Sequence, residues 1–235
     1  MKDYFLFIDT ETSGLPKKWD LPYDAPNNWP HILQLAWLIF DKDGNEIKRE
    51  NHYIRNDKVK ISKTSQNIHH ITKEFLKKNG KEISHVLPRF AKDLATYKPL
   101  IVAHFVELDF HMVSVEFFRE KINSCINELP VFCTMKASKP YIKNPSLKYL
   151  KLNRFYKTLF NKPPEKLHDA LADAELTSEI FFRLLKNGEI NNEAIAHQQT
   201  LFNAKEEEIN PFFKWIGLLI IILLTILISH LAHGK

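Results

Sequence analysis

Two acidic residues near the N-terminus could hold a divalent cation. Asp9 and Glu11 follow an aromatic and branched apolar run at residues 4–8, which predicts a buried strand that a turn ends at residues 13–16. Since side chains alternate along a strand, the two carboxylates are expected on the same side, at the strand's end. Hard oxygen ligands favour Mg²⁺ or Mn²⁺ over zinc. Asp-x-Glu also occurs by chance, so a metal site requires further ligands downstream.

Length and composition bound the number of domains. The 235 residues, of which 44% are hydrophobic, support one substantial core with an appendage. The two cysteines, Cys125 and Cys133, lack metal-ligand spacing, and residues 1–3 lead into the first strand without a secretory signal. We therefore expect a protein exposed to the reducing cytosol.

A strongly basic segment lies between Met135 and Leu167. It contains nine Lys and Arg residues and a single acid, Glu165, in a chain of net charge +5. Interleaved aromatic residues make it suitable for a phosphate backbone and stacked bases, and a solvated helical face is the alternative. The basic residues are Lys136, Lys139, Lys143, Lys148, Lys151, Arg154, Lys157, Lys162 and Lys166, and the aromatic residues are Tyr141, Tyr149, Phe155 and Tyr156.

The remaining hydrophobic pattern predicts an α/β fold with a mixed sheet of about five strands flanked by helices. After the first strand, strands are predicted at residues 32–40, 46–55, 100–104 and 129–134, with a hairpin turn at 41–45. Helices are predicted at residues 72–79, 82–97, 110–121, 146–152 and 154–160, and a last one opens at Leu167 and runs to about Lys186.

Two more carboxylates stand next to these elements. Asp109 lies where the fourth predicted strand passes into a helix, and Asp173 lies on the late helix beside His168. Strand ends and helix starts are where open α/β sheets place their chemistry. The four carboxylates are therefore candidates for one site.

Four stretches match family motifs in order. They read Phe-Ile-Asp-Thr-Glu-Thr-Ser-Gly-Leu at 7–15, Ile-His-His-Ile-Thr at 68–72, Ala-His-Phe-x-x-x-Asp at 103–109 and His-Asp-Ala-Leu-Ala-Asp-Ala at 168–174. Together they resemble the motifs of the DEDD exonucleases with a histidine (DEDDh), the DnaQ-like group. That group includes the proofreading subunit of bacterial replicative polymerases, ribonuclease T and the mammalian three-prime repair exonucleases.

The resemblance implies a ribonuclease H-like fold and 3′-to-5′ removal of nucleotides with two Mg²⁺ or Mn²⁺ ions. By motif, Asp9 would bridge both metals, and Glu11, Asp109 and Asp173 would complete the protein ligands. His168 would deprotonate the attacking water, a role that suits the pKa of histidine.

The resemblance also implies residues for substrate binding. Backbone groups around Thr10 and Thr12 would hold the terminal nucleotide, Leu15 would wedge against its base, and Ile71 would line the same pocket. For Leu15 and Ile71, packing in the core is the alternative.

One position departs from the family pattern. The second motif usually reads Ala-His-Asn, and here Phe105 replaces the Asn. The change could alter nucleotide contacts or the loop that aims Asp109. Glu107 lies two residues before Asp109, and we expect Asp109 to be the ligand because the spacing and the following helix match.

The C-terminal part has a different composition. Residues 1–187 form the predicted exonuclease domain, and residues 188–211 are polar and predict a linker or a helix outside the core. Residues 215–232 contain no Asp, Glu, Lys or Arg, and as a helix they would reach about 27 Å, enough to cross a bilayer core. Residues 212–232 are therefore predicted to form a C-terminal transmembrane helix, with a buried soluble helix as the alternative.

These features predict a single-pass, tail-anchored membrane protein with its catalytic domain in the cytoplasm. The charges flanking the helix do not determine its orientation, and the basic segment could instead meet anionic lipid headgroups.

The leading hypothesis is a membrane-tethered, metal-dependent 3′-to-5′ exonuclease that acts on single-stranded or frayed ends, of DNA rather than RNA. A catalytically weak nucleic-acid-binding or membrane adaptor protein that retains the fold is the alternative, which Phe105 would favour. A homodimer, or a proofreading partner recruited to a polymerase by the segment after residue 187, also stays open.

Overall fold

A mixed five-stranded sheet forms the centre of the protein, as predicted. The computed structural model describes residues 1–209, and the strands lie in the order β3-β2-β1-β4-β5. β1 pairs antiparallel with β2, and β2 with β3, whereas β4 runs parallel to β1 and β5 parallel to β4. The strands are β1 (Tyr4–Thr12), β2 (Ile32–Asp41), β3 (Glu46–Tyr53), β4 (Leu100–Ala103) and β5 (Val131–Cys133).

Helices cover both faces of this sheet. Within residues 1–209 they are α1 (Lys63–His69), α2 (Lys73–Asn79), α3 (Ile83–Tyr97), α4 (Val106–Glu120), α5 (Thr134–Ala137), α6 (Leu152–Phe160), α7 (Ala170–Lys186) and α8 (Asn192–Ile209). Short 3₁₀ turns occur at Ile126–Glu128 and Lys139–Tyr141.

β1 is buried on both faces, and this determines where its acidic end lies. Phe5 and Phe7 belong to the core cluster formed with α6 and α7, whereas Leu6 and Ile8 belong to the cluster formed with α3 and α4. A shift of β1 by one residue would move the side chains of each face to the opposite face, so the register of β1 in the sheet is strongly specified. By the same alternation, Asp9 continues the series that faces α7.

Two helices begin elsewhere than predicted, and both changes affect the site. α4 starts at Val106, so Asp109 lies in the first helical turn instead of ahead of the helix. Acidic side chains in a first turn are stabilised by the helix dipole, which favours this earlier start. α7 starts at Ala170, with Asp169 as its N-cap, so His168 lies outside the helix.

The helix predicted for residues 146–152 is wrong over most of its length. Residues 146–151 are irregular, and only Leu152 is helical, at the start of α6. The backbone N–H of Leu150 donates to the Ser138 hydroxyl at 2.9 Å, and its carbonyl accepts from His104 Nε2 at 3.0 Å. Because distant side chains bind these backbone groups, the segment forms a tethered loop instead of a helix.

Residues 188–211 were expected to form a linker or a helix outside the core. A helix is present, but α8 packs against the edge of the sheet. The side-chain carbonyl of Gln199 accepts from Val131 N at 2.7 Å, and that of Gln198 accepts from Cys133 N at 2.9 Å. Phe202 is buried against Phe110, with ring centroids 5.0 Å apart. α8 therefore supplies the hydrogen bonds that a further strand would give to β5.

The predicted membrane anchor at residues 212–232 lies outside the described residues. Within residues 1–209, none of the helices combines the length and the apolar character that crossing a membrane requires.

The packing of α8 is tested by Phe202→Ala. Removing a buried Phe side chain costs about 3–5 kcal/mol, and each kcal/mol lowers Tm by about 2–4 °C in a domain of this size. We expect Tm, measured by differential scanning fluorimetry, to fall by about 6 °C or more. Leu201→Ala, at the exposed neighbouring position, is the matched control and should change Tm little. Equal, small shifts in both variants would mean that α8 does not stabilise the domain.

Candidate active site

Four carboxylates from three elements meet at one edge of the sheet. β1 contributes Asp9 and Glu11, the first turn of α4 contributes Asp109, and the first turn of α7 contributes Asp173. Asp9 is half-buried and the other three are buried. Each of Asp109, Asp173 and Glu11 acts electrostatically on Asp9, so the predicted ligands are brought together around it.

Burial dominates the ionisation of this cluster. It raises the pKa of Asp9 well above its usual value, and the neighbouring carboxylates Asp109, Asp173 and Glu11 raise it further. Burial and then Asp173 and Asp109 raise the pKa of Glu11 to about 8. The protein therefore places carboxyl groups where their ionised form is poorly solvated, and a cation would stabilise that form.

Asp109 and Asp173 share this behaviour, although hydrogen bonds oppose it. Burial raises the pKa of each to about 7. The Thr10 hydroxyl donates to Asp109 Oδ1 at 2.8 Å, and the backbone N–H of His168 donates to Asp173 Oδ2 at 3.2 Å. These bonds lower the pKa values and orient both carboxylates towards the same edge.

The donor set fits hard divalent cations. Asp173 Oδ1 is buried and has no hydrogen-bond partner among residues 1–209, as expected for an oxygen that coordinates a metal ion. Three possible ligand atoms lie within 4.8 Å of one another, one each from Glu11, His168 and Asp173. Asp9, Glu11, Asp109 and Asp173 supply only oxygen donors, which suits Mg²⁺ or Mn²⁺.

His168 lies beside this cluster in an unusual backbone conformation. Its φ of 60° is in the left-handed region, which places the exposed ring outside α7 while its N–H contacts Asp173. Desolvation, followed by the charges of His70 and Lys151, lowers the pKa of the imidazole. The neutral ring, which can accept a proton, is therefore favoured at neutral pH.

Two residues that support the cluster were not predicted. Asp169 caps α7 by accepting from Ala172 N at 3.2 Å, and Gln34 of β2 accepts from Ala170 N at 3.2 Å and donates to Asp169 at 3.3 Å. Tyr53 of β3 also donates to Asp169, at 3.2 Å. An Asp directly before an Ala-rich helix is an N-cap signal that could have identified Asp169. The Gln34 contact spans the fold and has no local signal.

The predicted substrate-binding residues lie in different environments. The Thr10 side chain holds Asp109, and the Thr12 hydroxyl donates to Gly14 O at 2.7 Å. Leu15 is 65% exposed, so it does not pack in the core, and its role as a wedge stays a prediction. Ile71 is 5% exposed and belongs to a small hydrophobic cluster, which agrees with the alternative of core packing.

The residues of the Ala-His-Phe-x-x-x-Asp motif, 103–109, differ in their contacts. His104 is buried, with a pKa lowered to about 4 by desolvation, so its neutral ring ties the loop at Leu150 to the end of β4. Glu107 pairs with Lys136 at 2.9 Å, whereas Asp109 joins the carboxylate cluster. Phe105, at the usual Asn position, packs its ring 5.8 Å from that of Trp19.

In the basic segment at residues 135–167, some of the charged side chains are paired and some of the aromatic side chains are buried. Lys136 forms an ion pair with Glu107, and Lys166 lies 3.2 Å from Asp169. Two of its four aromatic side chains, Phe155 and Tyr156, are buried in the core, and the Tyr141 hydroxyl donates to Glu189. Lys139, Lys143, Lys148 and Lys151 are exposed, and Lys151 is close enough to His168 to act on it electrostatically.

The sequence of this chain is similar to a known family over most of its length. The sequence matches the profile of an exonuclease family, RNase_T, over residues 6–181. A search of curated protein sequences found no significant match.

Solved structures of exonucleases share the fold. Escherichia coli Exonuclease I in complex with a dA16 oligonucleotide aligns with 79% of this chain at a TM-score of 0.62 and 19% identity. The nuclease domain of 3′hExo, described as a DEDDh family member bound to rAMP, aligns over 80% of this chain and 94% of its own length. The TM-score is 0.60 and the sequence identity is 16%. This chain spans only 41% of the length of Exonuclease I.

A 3′-exonuclease in a structure of histone mRNA stem-loop recognition also aligns, over 80% of this chain and 83% of its own, with a TM-score of 0.59 and 15% identity. The predicted ribonuclease H-like exonuclease fold is thus confirmed.

The raised carboxyl pKa values predict how stability depends on pH without metal. An acid whose pKa is higher in the folded than in the unfolded state stabilises the fold at low pH, and that contribution is lost as pH rises through the folded pKa. In EDTA, Tm should therefore fall between about pH 5 and pH 8.5. Glu11→Gln, which cannot ionise, should raise Tm at pH 8.5 by about 3 °C or more.

Glu128→Gln, an exposed carboxyl in a 3₁₀ turn, is the matched control and should leave the pH profile unchanged. Mn²⁺ should raise the Tm of the wild type at pH 8.5 more than that of Glu11→Gln. A wild-type Tm that is independent of pH in EDTA would contradict the electrostatic interpretation of the cluster.

Proposed function

We propose that this chain, which belongs to the exonuclease family, removes nucleotides from the 3′ end of nucleic acid, with single-stranded DNA as its main substrate. The observation that carries the proposal is the buried cluster of Asp9, Glu11, Asp109 and Asp173 with His168 at its edge. Buried carboxylates with raised pKa values and a neighbouring neutral histidine are typical of a hydrolytic site rather than of a structural one.

The donor set supports a two-metal mechanism. When bound, two Mg²⁺ or Mn²⁺ ions would supply an activated water and neutralise charge on the phosphoryl group. Asp9, Glu11, Asp109 and Asp173 are the residues that would hold them. The Thr10 hydroxyl and the His168 backbone N–H keep two of these carboxylates in position.

His168 is assigned as the general base. The attacking water loses a proton to the neutral imidazole while its oxygen forms a bond to phosphorus. The bond from phosphorus to the 3′-oxygen of the preceding nucleotide breaks, and this oxygen takes a proton from solvent to become a hydroxyl. The imidazolium then returns the proton to solvent. The exposed position of His168 supports this role, because the ring can reach both the site and bulk water.

Charge near the site supports nucleic acid as the substrate. Lys151 is close enough to influence His168 electrostatically, and Lys139, Lys143 and Lys148 are exposed on the same segment. Such a group attracts the phosphates of a strand that leads to the site. Exonuclease I bound to dA16 and to dT13 supports single-stranded DNA, whereas the histone mRNA stem-loop structure keeps RNA as the competing substrate.

The activity is tested with 5′-labelled single-stranded DNA and RNA oligomers, the full chain and Mg²⁺ or Mn²⁺. We expect a ladder of products shortened stepwise from the 3′ end, and faster cleavage of DNA. Asp9→Asn should reduce the rate at least 1,000-fold, since it removes a charged ligand, and His168→Ala about 100-fold or more.

His197→Ala, an exposed histidine on α8, is the matched control and should retain full activity. If the wild type binds the oligomers but does not shorten them with either metal, the chain is a binding module that retains the exonuclease fold, and the enzymatic proposal is wrong.

A second part of the proposal is that residues 212–232 tether the enzyme to a membrane, with the catalytic domain on the cytoplasmic side. It is supported by sequence alone: 12 of the 18 residues at 215–232 are Leu or Ile, and none is Asp, Glu, Lys or Arg.

Liposome flotation tests the anchor. The full chain should float with the vesicles, and a variant with Ile221→Asp and Leu224→Asp should not, because each charge costs about 2.5–3.5 kcal/mol at the helix centre. A wild type that stays in the soluble fraction without detergent would contradict the anchor but leave the nuclease proposal intact.

A further inference from the structure

Aromatic side chains of the loop after β1 pack against the N-terminal part of α4, and the proposed hydrolysis does not use them. The Trp19 ring is the centre of this aromatic cluster, with centroids 5.8 Å from Phe105, 5.9 Å from His111 and 6.3 Å from Trp29. Tyr23 extends the cluster along the helix, where its hydroxyl lies 3.0 Å from His111 Nδ1.

The loop that carries Trp19 is held by hydrogen bonds at several points. The amide of Asn28, itself 4% exposed, binds the backbone of Lys18 twice, accepting from its N–H and donating to its carbonyl, both at 2.9 Å. Arg119 donates to Trp29 O at 2.7 Å and to Pro30 O at 2.8 Å. Trp19 is therefore held in place before any ligand arrives, so binding would order little further chain.

Both rings of the Trp19–Phe105 pair stand at the edge of the sheet that carries the carboxylates. The loop continues from the carboxyl end of β1, the strand of Asp9, and Phe105 follows the carboxyl end of β4, which runs parallel to β1. Phe105 is also the N-cap of α4, four residues before Asp109. The carboxyl ends of parallel strands meet at one edge, where ligands of α/β sheets bind.

The pair also has suitable exposure. Trp19 and Phe105 are half-buried, so both residues keep some solvent-accessible surface although their rings pack in the cluster. Lys17 and Lys18 are exposed beside Trp19, and the nearby acids Asp20 and Asp24 balance their charge. Attraction to a ligand would therefore come from the aromatic surface more than from net charge.

The aromatic side chains of the basic segment are buried or in contact with charged side chains. Phe155 and Tyr156 of the basic segment are buried, and Tyr141 binds Glu189. Lys148 lies over the ring of Tyr149, 5.5 Å from its centroid. The basic segment thus offers phosphate contacts more than an aromatic surface for bases.

We propose that Trp19, backed by Phe105, is a stacking platform for a base in the 3′ segment of the single-stranded substrate. This inference rests on the proposed exonuclease function and adds to it the residues that bind an unpaired base. Aromatic stacking tolerates any sequence because every base has a π face. On this view, Phe105 replaces the polar contact of the family's usual Asn with an apolar support for the indole.

The test compares Trp19 variants of the full chain by fluorescence anisotropy with a 5′-labelled dT oligomer in EDTA, and by KM with Mn²⁺. Trp19→Leu should raise both Kd and KM about 10-fold, in the range measured for the loss of one stacked base. Trp19→Phe, which keeps an aromatic face, should retain most of the affinity.

Phe118→Ala is the matched control. Phe118 is 53% exposed at the far end of the same cluster, about 13 Å further along α4 than Asp109, and its loss should leave Kd and KM unchanged. Tm is measured for every variant, so that a loss of folding is separated from a loss of stacking.

Oligomers with an abasic residue at the first, second or third position from the 3′ end locate the base. When the abasic residue takes the place of the stacked base, the wild type and Trp19→Leu should bind the oligomer with the same Kd. If Trp19→Leu binds like the wild type, or loses the same affinity on all three abasic oligomers, the platform does not exist.

The two proposals fail separately. If the wild type binds oligomers without cleaving them, the exonuclease proposal is wrong while the Kd comparison still decides the platform. If the wild type cleaves them and the Trp19 variants do so with unchanged KM, only the platform is wrong.

Discussion

The burial of four carboxylates at one sheet edge is the constraint on which the rest of the structure depends. Asp9, Glu11, Asp109 and Asp173 come from three elements that are separated along the chain. Burial raises the pKa of each, and neighbouring carboxylates of the cluster raise the pKa of Asp9, Glu11 and Asp109 further. Without a cation this arrangement lowers the stability of the folded protein, so packing elsewhere must offset it. β1, buried on both faces, and α7, packed on its aromatic residues, provide that packing.

A layer of hydrogen bonds keeps the cluster in position. Thr10 holds Asp109, and Gln34 of β2 binds the cap of α7, so the helix that carries Asp173 is tied to the sheet. His104 ties the loop that precedes Lys151 to the end of β4. These contacts orient groups without neutralising them, which leaves the charge of the site available to metal and substrate.

Local patterns were sufficient for most of the sheet and for the carboxylates. The apolar run before Asp9 and the hairpin turn at 41–45 are encoded by neighbouring residues, so the strands could be predicted. The structure of residues 146–151 could not, because a hydrogen bond from His104, far away in sequence, overrides their helical pattern. The burial of Phe202 also depends on a partner on another element, so a polar-looking segment gave no sign of α8 packing on the sheet.

The central claim is that the carboxylate cluster is a divalent metal site, and metal uptake tests it most directly. Mn²⁺ binding to the full chain at pH 7.5, followed by electron paramagnetic resonance of the free ion, should show two ions bound per chain. Asp9→Asn should lose tight binding of both, since Asp9 lies among the other three carboxylates. No uptake by the wild type, or equal uptake by Asp9→Asn, would contradict the claim.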